Sequence, residues 1–114
     1  MEQIIIAAIN CLSQEVHEIA YDKGWWDQER SFGEIISLIH SELSEALEEY
    51  RNGHSANEIY TIDEKPEGIP IELADTIIRI LDYCGKENIN IGSAIYQKLE
   101  YNKSRPIRHG GKKI

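Results

Sequence analysis

Two acidic pairs offer the clearest chemistry in this sequence. Glu42-Leu-Ser-Glu45 and Glu72-Leu-Ala-Asp75 each space two carboxylates at i, i+3. On a helix that spacing projects both side chains from one side, with Cβ atoms about 5–6 Å apart. If the two helices are neighbours, four carboxylates converge. Four like charges in a partly buried site repel strongly. A divalent cation removes that cost. Mg2+ fits the donors, because it takes oxygen ligands in an octahedron, keeps some waters and completes its shell with substrate phosphates. The alternative is that both pairs lie on ordinary charged helix faces turned to water. One pair at this spacing is common; the repetition is what points to a site.

The elements that must position these residues read as four helices. The first spans about Glu2 to Tyr21, with Ile5, Ile9, Leu12, Val16 and Ile19 forming one apolar stripe before Gly24. The second starts at a Ser31/Glu34 capping box, and Ile36, Ile39, Leu43, Leu47 and Tyr50 make its expected buried stripe, with Gly53 after its end. The third starts near Pro70 and ends at Cys84, before Gly85. Its apolar residues Leu73, Ala74, Ile77, Ile78, Ile80, Leu81 and Cys84 cover most of its circumference, so it should be the most buried helix. Glu72, Asp75, Arg79 and Asp82 share its one polar strip. The fourth runs from about Ile91 to Lys103, with Asn90 as N-cap and Pro106 blocking continuation. Its inner face is marked by Ile91, Ile95 and Leu99. The stretch Glu58–Asp63 is the only strand candidate, inside the long linker from Gly53 to Ile69. The expected architecture is all-α, a four-helix bundle in a single domain over residues 1–114, with a basic tail from about residue 104.

Charge divides the chain. Residues 1–97 carry 19 acidic and 6 basic side chains, and residues 98–114 carry one acid and six bases. An acidic body argues against binding a nucleic-acid polymer. It suits a cation site in the body and an anion contact from the tail. Lys98, Asn102 and Arg105 fall at i, i+4, i+7 and share a face if the helix reaches Arg105, where they could grip phosphates; the alternative is a cationic last turn that complements the helix dipole. Arg108-His-Gly-Gly-Lys112 sets glycines between cations, either to fold over a triphosphate or to form a free basic end. Trp25 and Trp26 between the first two helices either stack on a base or pack at a subunit interface. Arg79 is expected to pair with Asp75 or Asp82 one turn away, and Asp82 is a further candidate ligand.

Cys11 and Cys84 have no zinc or redox spacing and are expected in the core. His17, His40 and His54 lack metal-ligand spacing, and no Glu-x-x-His occurs, against a di-iron carboxylate bundle. Ile4–Leu12 resembles a signal-peptide core but lacks a basic flank and a small-residue cleavage site. No run is long enough to span a membrane, so the expected location is cytoplasmic.

Glu42-x-x-Glu45 followed by Glu72-x-x-Asp75 resembles the signature of the MazG-like nucleotide pyrophosphohydrolases of the all-α NTP pyrophosphatase superfamily. His40–Leu47, Pro70–Asp75 and Lys98–Asn102 resemble family segments too, and the likeness covers roughly residues 24 to 111. Many relatives open the first motif with two adjacent glutamates, whereas here Ser41 precedes Glu42. The resemblance implies a Mg2+-dependent enzyme, with Mn2+ as a substitute, that cuts a nucleoside triphosphate into monophosphate and pyrophosphate. Glu42, Glu45, Glu72 and Asp75 would be its metal-binding and catalytic residues, and Lys98, Asn102, Arg105 and Trp25 its substrate contacts. One of the four carboxylates would serve as base. A homo-oligomer, dimer or tetramer, is expected from the wide apolar face of the third helix. Two rivals remain: a non-catalytic helical interaction module of the same fold, and a phosphoribosyl-ATP pyrophosphohydrolase-like enzyme.

Overall fold

The computed structural model describes residues 1–107. Its elements are α1 (Glu2–Asp22), a single 3₁₀ turn (Trp25–Asp27), α2 (Phe32–Arg51), β1 (Tyr60–Ile62), β2 (Lys65–Glu67), α3 (Ile69–Lys86) and α4 (Ile91–Ser104). Helix α3 is central, with α1 on one side and α2 on the other, while α4 packs against α1. Four helices therefore dominate, as the periodicity predicts, and a two-stranded sheet is added. No described helix is long and apolar enough to cross a membrane. Arg108 and Lys112, and the tail closure expected of them, lie outside the described residues.

The first strand, β1, falls inside Glu58–Asp63, the stretch that the sequence offers as its strand candidate, whereas its partner β2 is not expected from the sequence. Tyr60 pairs with Glu67, Thr61 with Pro66 and Ile62 with Lys65. The two turn residues of this hairpin, Asp63 and Glu64, both have positive φ, at 50° and 69°. Such a turn follows the right-handed twist of the strands, but it is usually signalled by Asn-Gly. Here no glycine marks it, and Pro66 argues against a strand.

Local chemistry sets the helix ends, with corrections. The Ser31 side chain accepts from the Glu34 backbone N–H at 3.1 Å, but Glu34 does not complete a reciprocal box. Its carboxylate accepts instead from Arg30 Nη1 at 2.7 Å. Gly85 does not stop α3, which continues to Lys86. Its role is close approach: a Cβ there would lie 2.7 Å from His17 Cβ and 2.8 Å from the Ser13 carbonyl oxygen. Arg105 leaves the helix with extended backbone (φ −79°, ψ 147°), because the following proline disfavours the helical region. The shared face from Lys98 to Arg105 is therefore interrupted after Asn102.

The largest correction concerns which faces are inside. Helix α3 is the most buried, as expected, but it buries its polar strip: Glu72, Thr76 and Asp82 are buried alongside Leu81, Cys84 and Gly85. Leu73, Ile77, Ile78 and Ile80 are exposed. On α2, Ile35 and Ile39 are buried while Leu43, Leu47 and Tyr50 of the expected stripe are exposed. Ile5, Leu12 and Ile19 of the α1 stripe are exposed, as are Ile95 and Leu99 of α4. Cys84 is buried, whereas Cys11 is exposed rather than in the core. Among the described residues no side chain is fully enclosed. The apolar stripes are correctly periodic, but the described residues leave much of them exposed.

Candidate metal centre

The α2–α3 seam brings three of the four predicted carboxylates together. One oxygen each from Glu42, Glu72 and Asp75 lies within 4.8 Å of the others. Glu45 is exposed and stands outside that group. Helix periodicity explains the assembly, since Glu42 and Ile39 share the face of α2 that meets α3, and Glu72, Asp75 and Arg79 share the facing strip. Arg79 is placed unexpectedly. Its Nε donates to Glu42 Oε1 at 2.9 Å across the seam, not to Asp75 or Asp82 on its own helix.

Glu72 occupies the first turn of α3. That turn is set by Gly68, whose φ of 124° is open to glycine, and an added Cβ would collide with the Glu58 carbonyl. The tight approach brings the hairpin and the preceding loop against the start of α3. Glu72 is only 8% exposed, yet among the described residues its carboxylate meets no hydrogen-bond donor and no cation. Among the described residues no side-chain polar atom is completely enclosed without a partner, so the Glu72 oxygens keep an opening to the outside. Burial, and next the charges of Asp75, Glu42, Glu45 and Glu67, push its pKa up to about 7. Asp75 is also pushed up, by burial and then by Glu42, with Arg79 and Lys65 opposing. A buried, acceptor-only group in an anionic seam must take up a proton or meet a cation. The hard oxygen donors fit Mg2+.

Beside the seam stands an aromatic corner. The Arg30 guanidinium lies 3.7 Å from the centroid of the Trp25 ring, and the Arg79 guanidinium lies 4.9 Å from it. Trp26 Nε1–H donates to Asp82 Oδ1 at 2.9 Å, and His17 Nδ1 meets the same oxygen at 2.9 Å. Since a carboxylate only accepts, His17 carries its proton on Nδ1. Asp82 thus ties the Trp turn and α1 to α3. A groove of about 340 Å3 runs from Trp25 and Lys23 past Arg79 to Glu42 and Asp75.

The α4 residues are elsewhere. Lys98 lines an open groove of about 470 Å3 with Ala94, Gln97 and Tyr101. Its Nζ is 4.7 Å from the Tyr101 ring centroid, and the Arg105 guanidinium is 5.7 Å from the same ring. Asn102 is exposed on the same helix. Within one chain α4 packs on α1, so these groups are not brought to the carboxylates of the α2–α3 seam. The larger groove is thus remote from the acidic chemistry, and the smaller one adjoins it.

Sequence reasoning missed three participants. Glu49, one of whose oxygens lies within 4.8 Å of oxygens of Glu67 and Glu72, is seven residues from Glu42, hence on the same face of α2, and that spacing could have revealed it. Glu67 joins through β2, the strand that the sequence did not suggest. Lys23 lines the groove by virtue of the turn after α1, for which no motif speaks. No family model, curated protein or solved structure matches the chain.

Proposed function

We propose that this chain is a Mg2+-dependent nucleoside triphosphate pyrophosphohydrolase of the MazG-like type, acting on the cytoplasmic nucleotide pool. The observation that supports it most is the convergence of Glu42, Glu72 and Asp75, with Glu72 buried and without a donor. These three residues would hold the ion. When bound, Mg2+ supplies charge neutralisation for the phosphate chain and lowers the pKa of water that it holds. Glu45, outside the group of three, is the carboxylate left free to accept the proton of the attacking water. Water adds to the α-phosphorus, the α–β anhydride bond breaks, and nucleoside monophosphate and pyrophosphate leave. Arg79 is held at the seam by Glu42 and can turn its guanidinium to a phosphate. Trp25 offers a ring face at the other end of the groove for a base.

The exposed outer faces of α2 and α3 call for a second copy of the chain. Leu43, Leu47, Leu73, Ile77 and Ile78 are all exposed, apolar side chains that a second copy can cover. An isologous contact is the commonest way to cover them. In such an assembly Lys98, Asn102 and Arg105 can serve a partner's triphosphate. The test is phosphorus NMR of the products, with Mg2+, across canonical and modified nucleoside triphosphates and phosphoribosyl-ATP. The expected result is pyrophosphate and monophosphate from at least one nucleoside triphosphate. Cleavage of phosphoribosyl-ATP alone would transfer the assignment to a biosynthetic enzyme, and no cleavage would leave a non-catalytic helical module.

A further inference from the structure

Among the described residues Arg79 is the one cation bonded to the three converging carboxylates. Its Nε–H donates to Glu42 Oε1 at 2.9 Å, and the two side chains are 29% and 15% exposed. The pair joins α3 to α2, so the packing of the helices holds it, and a charge-assisted bond of this kind is strong. The Arg79 guanidinium also lies 4.9 Å from the Trp25 ring centroid, within reach of a cation–π contact. Trp25 is fixed from elsewhere. Its carbonyl accepts from Arg30 Nε at 3.0 Å, and Arg30 Nη1 donates to Glu34 Oε2 at 2.7 Å. Arg79 has no such second anchor: among the described residues both its Nη groups lack an acceptor, although the side chain lines the groove of about 340 Å3.

Glu42 is thus claimed twice. It is the partner of Arg79, and it belongs to the group that would hold a divalent cation. A guanidinium and a metal ion on one carboxylate repel each other at short range. We infer that Arg79 is a built-in competitor of the metal, which holds Glu42 in the metal-free protein, lets go of it when the ion is bound, and then grips the phosphate chain of the substrate from within the groove. The Trp25 ring face keeps the released guanidinium beside the groove. Its planar fork suits two phosphate oxygens at once, which a lysine cannot match. The inference rests on the cation site of the proposed function and adds an order to it: Arg79 becomes available to phosphate only after the metal has taken its place on Glu42.

The first probe is Mn2+ alone, followed on the full-length protein by the loss of the free-ion electron paramagnetic resonance signal. Arg79→Gln should bind Mn2+ at least about tenfold more tightly than the wild type. Arg79→Lys keeps the charge and should stay within about threefold of the wild type. Circular dichroism confirms that both variants are folded. Release is read by NMR. The Arg79 Nε–H resonance, assigned by its loss in Arg79→Lys, should move as Mg2+ is added and move again with inorganic triphosphate. At saturating Mg2+, both variants should bind inorganic triphosphate at least about tenfold more weakly than the wild type. Equal Mn2+ affinity in Arg79→Gln and the wild type, or an Nε–H resonance unmoved by saturating Mg2+, overturns the competition and leaves the metal site in place. Undiminished triphosphate binding in Arg79→Gln overturns the grip on phosphate. No Mn2+ binding by either protein overturns the metal site and the inference together.

Discussion

Glu72 and Asp82 sit on the same helix and are almost equally buried, at 8% and 7% exposure. Asp82 receives Trp26 Nε1–H and His17 Nδ1–H on one oxygen, which compensates its burial. Among the described residues no donor reaches Glu72, and other carboxylates surround it. The first carboxylate builds the molecule; the second makes it less stable as it stands. A carboxylate held so far from donors is costly unless something compensates it, which is why the proposed function is built on Glu72 and not on Asp82. Both belong to the same polar strip, and only their partners distinguish them.

The comparison breaks most clearly at Glu72. Glu72→Gln should lower nucleotide turnover about a hundredfold or more, the scale of losing a charge-stabilising group. It should also raise the melting temperature of the metal-free protein, by relieving repulsion. Steady-state kinetics and a thermal melt check both. Glu45→Gln should lower turnover similarly while leaving Mn2+ affinity within about threefold, well under the 1.4 kcal/mol of a tenfold change.

At Asp82 the effect should have the opposite character. Asp82→Ala leaves the Trp26 N–H and His17 without an acceptor, a loss of about 1–3 kcal/mol per stranded group. Denaturant melts should show that loss. Asp82→Asn keeps an acceptor and should recover much of it.

The acid dependence sharpens the same contrast. The pKa of Glu72 is raised to about 7 from an ordinary 4.5. Between those values the folded state binds more protons than the unfolded state, so stability falls as pH rises. The contribution is fully present below pH 4.5 and is lost as pH rises through about 7. Metal-free protein should therefore lose melting temperature from pH 5 to 7.5 because of this group, and Glu72→Gln should remove that component of the slope.

The smallest expected effect on the chain itself lies at its outer face. Ile77 is 54% exposed, so Ile77→Glu should change the stability of an isolated chain by no more than about 0.5 kcal/mol. Sedimentation should nonetheless show a shift toward monomer if a second copy covers that face.

The clustering of Glu42, Glu72 and Asp75 was legible, though not the exclusion of Glu45, because its signal is local: i, i+3 spacing puts Glu72 and Asp75 on one side whatever surrounds them. Cross-helix register is not local. Arg79 has acidic neighbours one turn away on its own helix, yet it bonds Glu42, because the placement of α2 against α3 decides the distance. Likewise periodicity shows that Leu47 and Ile77 lie on apolar stripes, but not whether the neighbour that covers them is part of the same chain. Gly85 carries the usual sign of a helix end and serves instead to admit His17, a contact 68 residues away in sequence. Strand β1 was legible as the stretch Glu58–Asp63, but the turn and β2 were hidden, because Asp63 and Glu64 adopt positive φ without a glycine.

The most direct measurement is a calorimetric titration of Mg2+ at pH 7 into the wild type, Glu72→Gln and Asp82→Asn. Binding should be retained by the wild type and by Asp82→Asn, and lost or weakened at least about tenfold, or 1.4 kcal/mol, in Glu72→Gln. Equal affinity in Glu72→Gln and the wild type would contradict the account, because the unsatisfied carboxylate would then not be waiting for a cation.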